Sequence, residues 1–200
     1  MSGSVAENTA TIANLLDAFG GESNATARYT AYAAKADRDG WQGVGSLFRA
    51  AARAEQIHAA NHARAIRQLG GMAHCEVHQV EVRSTLENLR VALGGEQFEI
   101  DTMYPAFIEV AKATGNSVAL RTFTWAFEAE KTHARLYREA IALVEAGLKD
   151  SWVGKERNFY VCAVCGYTSA SREEHDLCPV CNLAWDRFEI VGEPESFIAG

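Results

Sequence analysis

No stretch of about 18 uncharged apolar residues occurs in the 200-residue chain, so no membrane-spanning helix is expected. The opening Met1 to Ala10 has neither the basic start nor the apolar run of a signal peptide, and a cytoplasmic location is expected. Basic residues are in deficit: 19 Lys and Arg stand against 26 Asp and Glu, a formal charge of -7. That is the wrong sign for a protein whose main partner is a nucleic-acid backbone or an anionic membrane. There is no Gly-x-Gly-x-x-Gly turn after a strand, so no nicotinamide site is indicated. Proline is scarce, with three residues, which leaves long stretches open to helix. What remains, 48% hydrophobic and 22% charged, excludes disorder, collagen and a disulfide-dense miniprotein, and suffices for a substantial core.

Four of the five cysteines, Cys162, Cys165, Cys178 and Cys181, sit in the last fifth of the chain, and Cys75 stands alone. Two C-x-x-C pairs in a chain with no export signal favour metal ligation over disulfides. The run Cys162-Ala-Val-Cys165-Gly166-Tyr167, twelve residues, then Cys178-Pro179-Val-Cys181 is a strong signal for a tetrahedral four-thiolate site that permits iron or zinc.

From Thr9 to Gly147 the sequence is rich in Ala, Leu, Glu, Arg and Gln, which predicts long helices. The expected segments are Thr9 to Arg38, Gln42 to Leu69, Ser84 to Ala113 and Ser117 to Ala146, with Gly40, Gly70-Gly71, Gly115 and Gly147 as stops. Ser84-x-x-Glu87 fits a capping box, and Pro105 predicts a kink in the third helix. Met72 to Arg83, with Val77, Val80 and Val82, reads as an extended crossover. Four helices about 40 Å long with one long central crossover make a mainly α, ferritin-like four-helix bundle, with helices two and three parallel. After Lys149 the chain turns short, aromatic and turn-rich. The expected division is a bundle over 1–149, a linker over 150–158 and a small β and turn-rich four-cysteine metal domain over 159–200.

Glu55-x-x-His58 falls in helix two and Glu130-x-x-His133 in helix four, and this spacing puts a carboxylate and an imidazole on one face. Helix one supplies Glu22 after Gly20-Gly21, and helix three supplies Glu96-x-x-Glu99 after Gly94-Gly95. One Glu from each of two helices plus Glu-x-x-His from the other two is the di-metal carboxylate arrangement of such bundles; here helix three adds a second Glu. Five carboxylates facing one interior would repel and would each cost several kcal/mol in desolvation. Divalent cations remove that penalty, and this donor set suits iron or manganese.

The motifs Gly-Glu22-Ser-x-Ala-x-x-Arg-Tyr29, the two Glu-x-x-His pairs, Gly-Glu96-x-x-Glu99 with Met103-Tyr104-Pro105, and the terminal cysteines together resemble the rubrerythrin family over nearly the whole chain. The resemblance implies two non-haem irons on Glu22, Glu55, His58, Glu96, Glu99, Glu130 and His133, with Glu55 and Glu130 bridging. It implies that one iron exchanges His58 for Glu99 with oxidation state, and that Tyr29 and Tyr104 donate hydrogen bonds around the site. Further, it implies one iron in a rubredoxin-like four-cysteine site and peroxidase activity on hydrogen peroxide in oxidative-stress defence. Electrons would come from an external NAD(P)H-linked reductase or a rubredoxin. The family's head-to-tail homodimer brings the cysteine domain of one subunit to the other's di-iron site, and the linker by itself is not expected to join the two centres of one chain.

Two departures stand out. Asn182 follows the fourth cysteine where the family usually has Gly; the knuckle needs positive φ there, which Asn tolerates best after Gly. Leu183-Ala184-Trp185 is bulkier than the family pattern. The rival readings are a ferroxidase or iron-storage protein and a zinc-ribbon scaffold without activity. Cys75, between His74 and His78, has no assigned role, and Trp41, Trp125 and Trp152 read as core or domain-interface residues.

Overall fold

The computed structural model describes residues 5–172 and 176–192; the outermost parts of the expected bundle and cysteine-domain segments, 1–4 and 193–200, lie outside them. The helix-favouring first 145 residues form α1 (Val5–Arg38), α2 (Gln42–Gln68), α3 (Thr85–Phe98), α4 (Tyr104–Ala113) and α5 (Ser117–Glu145). At the start of α3 the Ser84 side chain accepts from the Glu87 N–H while Glu87 reaches back to the Ser84 N–H, satisfying two donors that a helix start leaves open. α2 closes at Gly70, whose φ of +84° is available to glycine without a Cβ clash. Gly20-Gly21 and Gly94-Gly95, by contrast, lie inside helices.

α1 packs along α2, and α3 and α4 pack along α5, with α2 and α5 joining the pairs. The crossover between Leu69 and Ser84 has no regular structure and leaves Met72 and Val77 exposed. The third rod departs from expectation: Glu99–Met103 forms a π-helical turn between α3 and α4, and Pro105 lies in the first turn of α4. A proline removes one N–H from the ladder, and the wider turn that precedes it carries Glu99.

Two aromatic groups bracket a polar middle layer. Tyr29, Tyr32, Phe48 and Tyr137 pack with ring centroids 5.5–6.5 Å apart on one side, and Tyr104, Phe107 and Phe123 pack on the other.

Beyond α5 the chain folds back on α2. A 3-10 turn, Trp152–Gly154, buries Val153 against the bundle core. The approach is close enough that a Cβ on Gly43 would lie 1.8 Å from the Trp152 carbonyl oxygen, so α2 can begin there only with glycine. The antiparallel strands β1 (Phe159–Cys162), β2 (Thr168–Ser169) and β3 (Phe188–Val191) follow in the order β2-β1-β3, with Tyr160 opposite Ser169 and Ile190. Trp41 and Trp152 pack on the bundle core and Trp125 on the cysteine cluster, as core and interface residues. No helix among the described residues is long and apolar enough to cross a membrane.

Candidate metal centres

The helix spacing carries Glu22, Glu55, Glu96, Glu99, Glu130, His58 and His133 into the middle layer, and all seven are buried. Two groups of four form, each with ligand atoms within 4.8 Å of one another: Glu22, Glu55, His58 and Glu130, and Glu55, Glu96, Glu130 and His133. Glu55 and Glu130 belong to both. The His58 Nδ1 lies 2.8 Å from Glu55 and 2.9 Å from Glu130, and the His133 Nδ1 lies 2.8 Å from Glu130 and 3.4 Å from Glu55. Glu99, on the π turn, belongs to neither group of four.

The hydrogen bonds around this layer are incomplete in an informative way. Tyr104 donates to Glu22 Oε1 and Tyr29 to Glu96 Oε1. Glu22 Oε2, Glu55 Oε1, Glu96 Oε2, both oxygens of Glu130 and His133 Nδ1 are buried without a hydrogen-bond partner. Buried acceptors left open cost about 1–3 kcal/mol each. Converging in two overlapping sets of oxygen and imidazole donors, they fit two hard divalent ions.

Electrostatics agrees. Burial first, and then neighbouring carboxylates, hold Glu22, Glu96 and Glu99 well above the usual carboxylate range. Burial opposes charge on Glu130 too, but His58 and His133 outweigh it and keep that carboxyl well below its usual value. Burial lowers both imidazoles, yet Glu130, with further help from Glu55 and Glu96, raises His58 and His133 well above theirs. In metal-free protein, then, the folded state holds protons that the unfolded chain has released. Stability conferred by protons held in this way is lost as pH rises. The melting temperature of metal-free protein is expected to fall between about pH 5 and pH 8. Loading with iron or manganese should reverse the trend and release protons, as read by calorimetry and a pH-stat; a metal-free melting temperature that climbs over this range would contradict the proton assignment.

The four cysteines form a second cluster on two matching knuckles. Cys162 N–H donates to Tyr167 O and Gly166 N–H to Cys162 O; Cys178 N–H donates to Leu183 O and Asn182 N–H to Cys178 O. Both knuckles need a left-handed residue, Gly166 at φ +79° and Asn182 at φ +61°, so Asn182 replaces glycine without loss of the turn. The Cys162 and Cys181 sulfurs lie 3.4 Å apart and those of Cys165 and Cys178 3.6 Å, near the edge of about 3.8 Å for sulfurs 2.3 Å from one ion. Trp185 stacks on Phe188 at 3.9 Å and closes one side. Cys75 is exposed, and neither it, His74 nor His78 joins a metal-ligating group among the described residues.

The rubrerythrin family model matches residues 13–141, and the model of the rubrerythrin rubredoxin-like domain matches 160–189. The chain belongs to the rubrerythrin family. It is 35% identical to rubrerythrin-2 of Clostridium acetobutylicum over 92% of this chain and 97% of the relative. It is 36% identical to nigerythrin of Nitratidesulfovibrio vulgaris over 89% and 85%. The solved structure of fully reduced, all-ferrous nigerythrin superposes with a TM-score of 0.80 at 33% identity, covering 90% of this chain and 86% of that one. A bacterioferritin from Desulfovibrio desulfuricans shares the bundle fold, with a TM-score of 0.68 at 22% identity over 74% of this chain and 90% of its own. As a member of the rubrerythrin family the chain carries a di-iron carboxylate site in the bundle and a rubredoxin-like four-cysteine site.

The expectation that the linker leaves the two centres of one chain apart is corrected by the structure. The returning segment lays the cysteine domain on its own bundle. His58 Nε2 lies 3.1 Å from the Cys165 carbonyl oxygen, His133 Nε2 lies 3.1 Å from Thr168 Oγ1, and Asn61 Nδ2 donates to Val164 O at 2.8 Å. Arg53 pairs with Glu189 on β3 and Arg49 Nε donates to Gly192 O at 2.8 Å. A Cβ on Gly166 would lie 2.2 Å from His58 Nε2. The linker achieves this by reversing at Gly147 and pinning Trp152–Gly154 on α2, a tertiary contact that motif spacing does not encode.

Sequence reasoning missed His62, Tyr137, Asn61 and Thr168. His62 is fully buried, one turn beyond His58, and bonds to both Tyr104 and Thr122. Burial, with repulsion from His58 second, drives its pKa down to about 3, so the ring is neutral. The available signal was position: His62 and Tyr137 each stand four residues after a ligand-spaced histidine, on the same helix face.

Proposed function

We propose that the chain is a peroxidase that reduces hydrogen peroxide to water, with electrons entering through iron in the four-cysteine site from an external NAD(P)H-linked reductase or a rubredoxin. The observation that carries this reading is the hydrogen bonding of both site histidines, through Nε2, to the cysteine domain.

In this reading Glu22 and His58 hold one iron, Glu96 and His133 hold the other, and Glu55 and Glu130 bridge them. Two bound ferrous ions supply two reducing electrons and Lewis acidity for cleavage of the O–O bond. Each histidine turns Nδ1 to the metal and gives its Nε2–H to the cysteine domain, to Cys165 O or Thr168 Oγ1, which fixes its tautomer. Tyr104 and Tyr29 occupy one oxygen each of Glu22 and Glu96 and leave the other oxygen for metal. Glu99, displaced from both donor groups by the π turn, is the spare carboxylate that replaces His58 when the iron's charge rises. Burial of all seven side chains keeps bulk water from the reacting oxygens. Each turnover consumes two electrons and two protons, and the cysteine-bound centre passes the electrons singly. A head-to-tail homodimer would make the same contacts by exchanging cysteine domains.

An iron-storage bundle has no use for a docked one-electron centre, and a zinc-filled scaffold would show no redox response. Cys178→Ser is expected to leave the bundle iron loaded and oxidisable by peroxide while steady-state turnover with a reductase collapses. Comparing single-turnover with steady-state rates checks this; undiminished steady-state turnover would overturn the electron route.

A further inference from the structure

The two ligand-bearing helices match position for position until one turn past their histidines. α2 reads Glu55-x-x-His58-x-x-x-His62 and α5 reads Glu130-x-x-His133-x-x-x-Tyr137. The hydrogen bonds around them are crosswise: Tyr104, from the rod that carries Glu96, bonds to Glu22, and Tyr29, from the helix that carries Glu22, bonds to Glu96. Each tyrosine leans on the residue where the match breaks. The Tyr104 and His62 ring centroids lie 6.1 Å apart, and those of Tyr29 and Tyr137 5.8 Å.

The two halves differ in chemistry. His62 Nε2 lies 3.2 Å from the Tyr104 hydroxyl and Nδ1 lies 3.1 Å from the Thr122 hydroxyl, whereas the buried Tyr137 hydroxyl makes no hydrogen bond. A phenol has one proton to give, and Tyr104 gives it to Glu22. Its oxygen can then only accept, so His62 carries its proton on Nε2 and accepts at Nδ1 from Thr122. The chain of donors runs one way, from Thr122 through His62 and Tyr104 to Glu22 Oε1. Glu22 Oε2, without a partner, is left for the metal.

We propose that His62 is a positioning residue for the Glu22 half of the metal site: its Nε2–H locks the Tyr104 proton onto Glu22 Oε1 and so holds Glu22 to one-oxygen ligation. The Glu96 half, with Tyr137 in the matching place, has no such lock. The two metal positions thus differ in their outer hydrogen bonds although their inner ligands match. This inference rests on the di-iron reading above.

The test is Mössbauer spectroscopy of full-length protein loaded with iron-57 and oxidised. His62→Leu is expected to shift the signal of one of the two bundle irons and to leave the other, and the cysteine-bound iron, in place. Tyr104→Phe should give the same shift, and the double variant no further one, because both changes break a single chain. His62→Gln, which restores an N–H donor, should return the signal toward the parent. Equal movement of both bundle irons, no movement, or a further shift when His62→Leu is added to Tyr104→Phe would overturn the proposal. Should His62→Leu fail to take up iron, Thr122→Val removes only the hydroxyl that pins the ring; the same iron is expected to shift, and an unchanged spectrum counts against the lock. A parent spectrum without two bundle irons would instead defeat the di-iron reading.

Discussion

Gly166→Ala is expected to leave both metal centres filled and yet slow electron passage between them about a hundredfold, the cost that an ångström-scale misplacement carries. Two effects coincide at this residue. Its φ of +79° makes any Cβ unfavourable by roughly 1–2 kcal/mol, and that Cβ would lie 2.2 Å from His58 Nε2. The imidazole cannot retreat, because its Nδ1 is held between Glu55 at 2.8 Å and Glu130 at 2.9 Å. The knuckle cannot retreat alone, because the Gly166 N–H to Cys162 O bond shapes the loop between two cysteines. What yields is the docking, and with it the His58 to Cys165 contact. Stopped-flow reduction of the chain by an excess of donor checks this: the cysteine-bound iron should be reduced at the parent rate and the bundle iron far more slowly. Parent rates at both centres would mean that electrons do not cross at His58.

Glu130→Ala is expected to abolish the bundle site outright while the four-cysteine site stays filled. Glu130 is a member of both four-residue groups, with one oxygen 2.9 Å from His58 and the other 2.8 Å from His133. Removing it leaves two buried imidazoles without the carboxylate that balances them, and loss of one partner of a buried charge pair costs about 3–5 kcal/mol. Metal-free protein should therefore be measurably less stable, and iron analysis should find only the cysteine-bound ion. Peroxidase turnover at the parent rate in this variant would remove Glu130 from the ligand set.

The parts of this architecture that were legible in advance are those encoded locally. The Ser84 to Glu87 capping box, the glycine stop after α2 and the one-face spacing of Glu55 with His58 and Glu130 with His133 each depend on residues within one helical turn. The left-handed turn at Asn182 was legible for the same reason, since it follows from the residue's own conformational tolerance. The π turn was not: Pro105 indicated a kink, but which hydrogen bonds the preceding turn adopts is settled by packing around Glu99. Nor was the docking of the cysteine domain, which rests on Gly43, Gly166 and Arg53 meeting segments more than a hundred residues away. His62 lay between the two cases. Its spacing from His58 was visible, but its meaning depends on Tyr104 and Thr122, which reach it from other helices.

The most direct measurement is a visible-absorption titration of anaerobically reduced, iron-loaded full-length protein with hydrogen peroxide, set beside its reaction with dissolved oxygen. A peroxidase fed through its four-cysteine centre should recover the colour of cysteine-bound ferric iron, much faster with peroxide than with oxygen. A four-cysteine site that stays colourless at every peroxide concentration would contradict both the electron route and the activity.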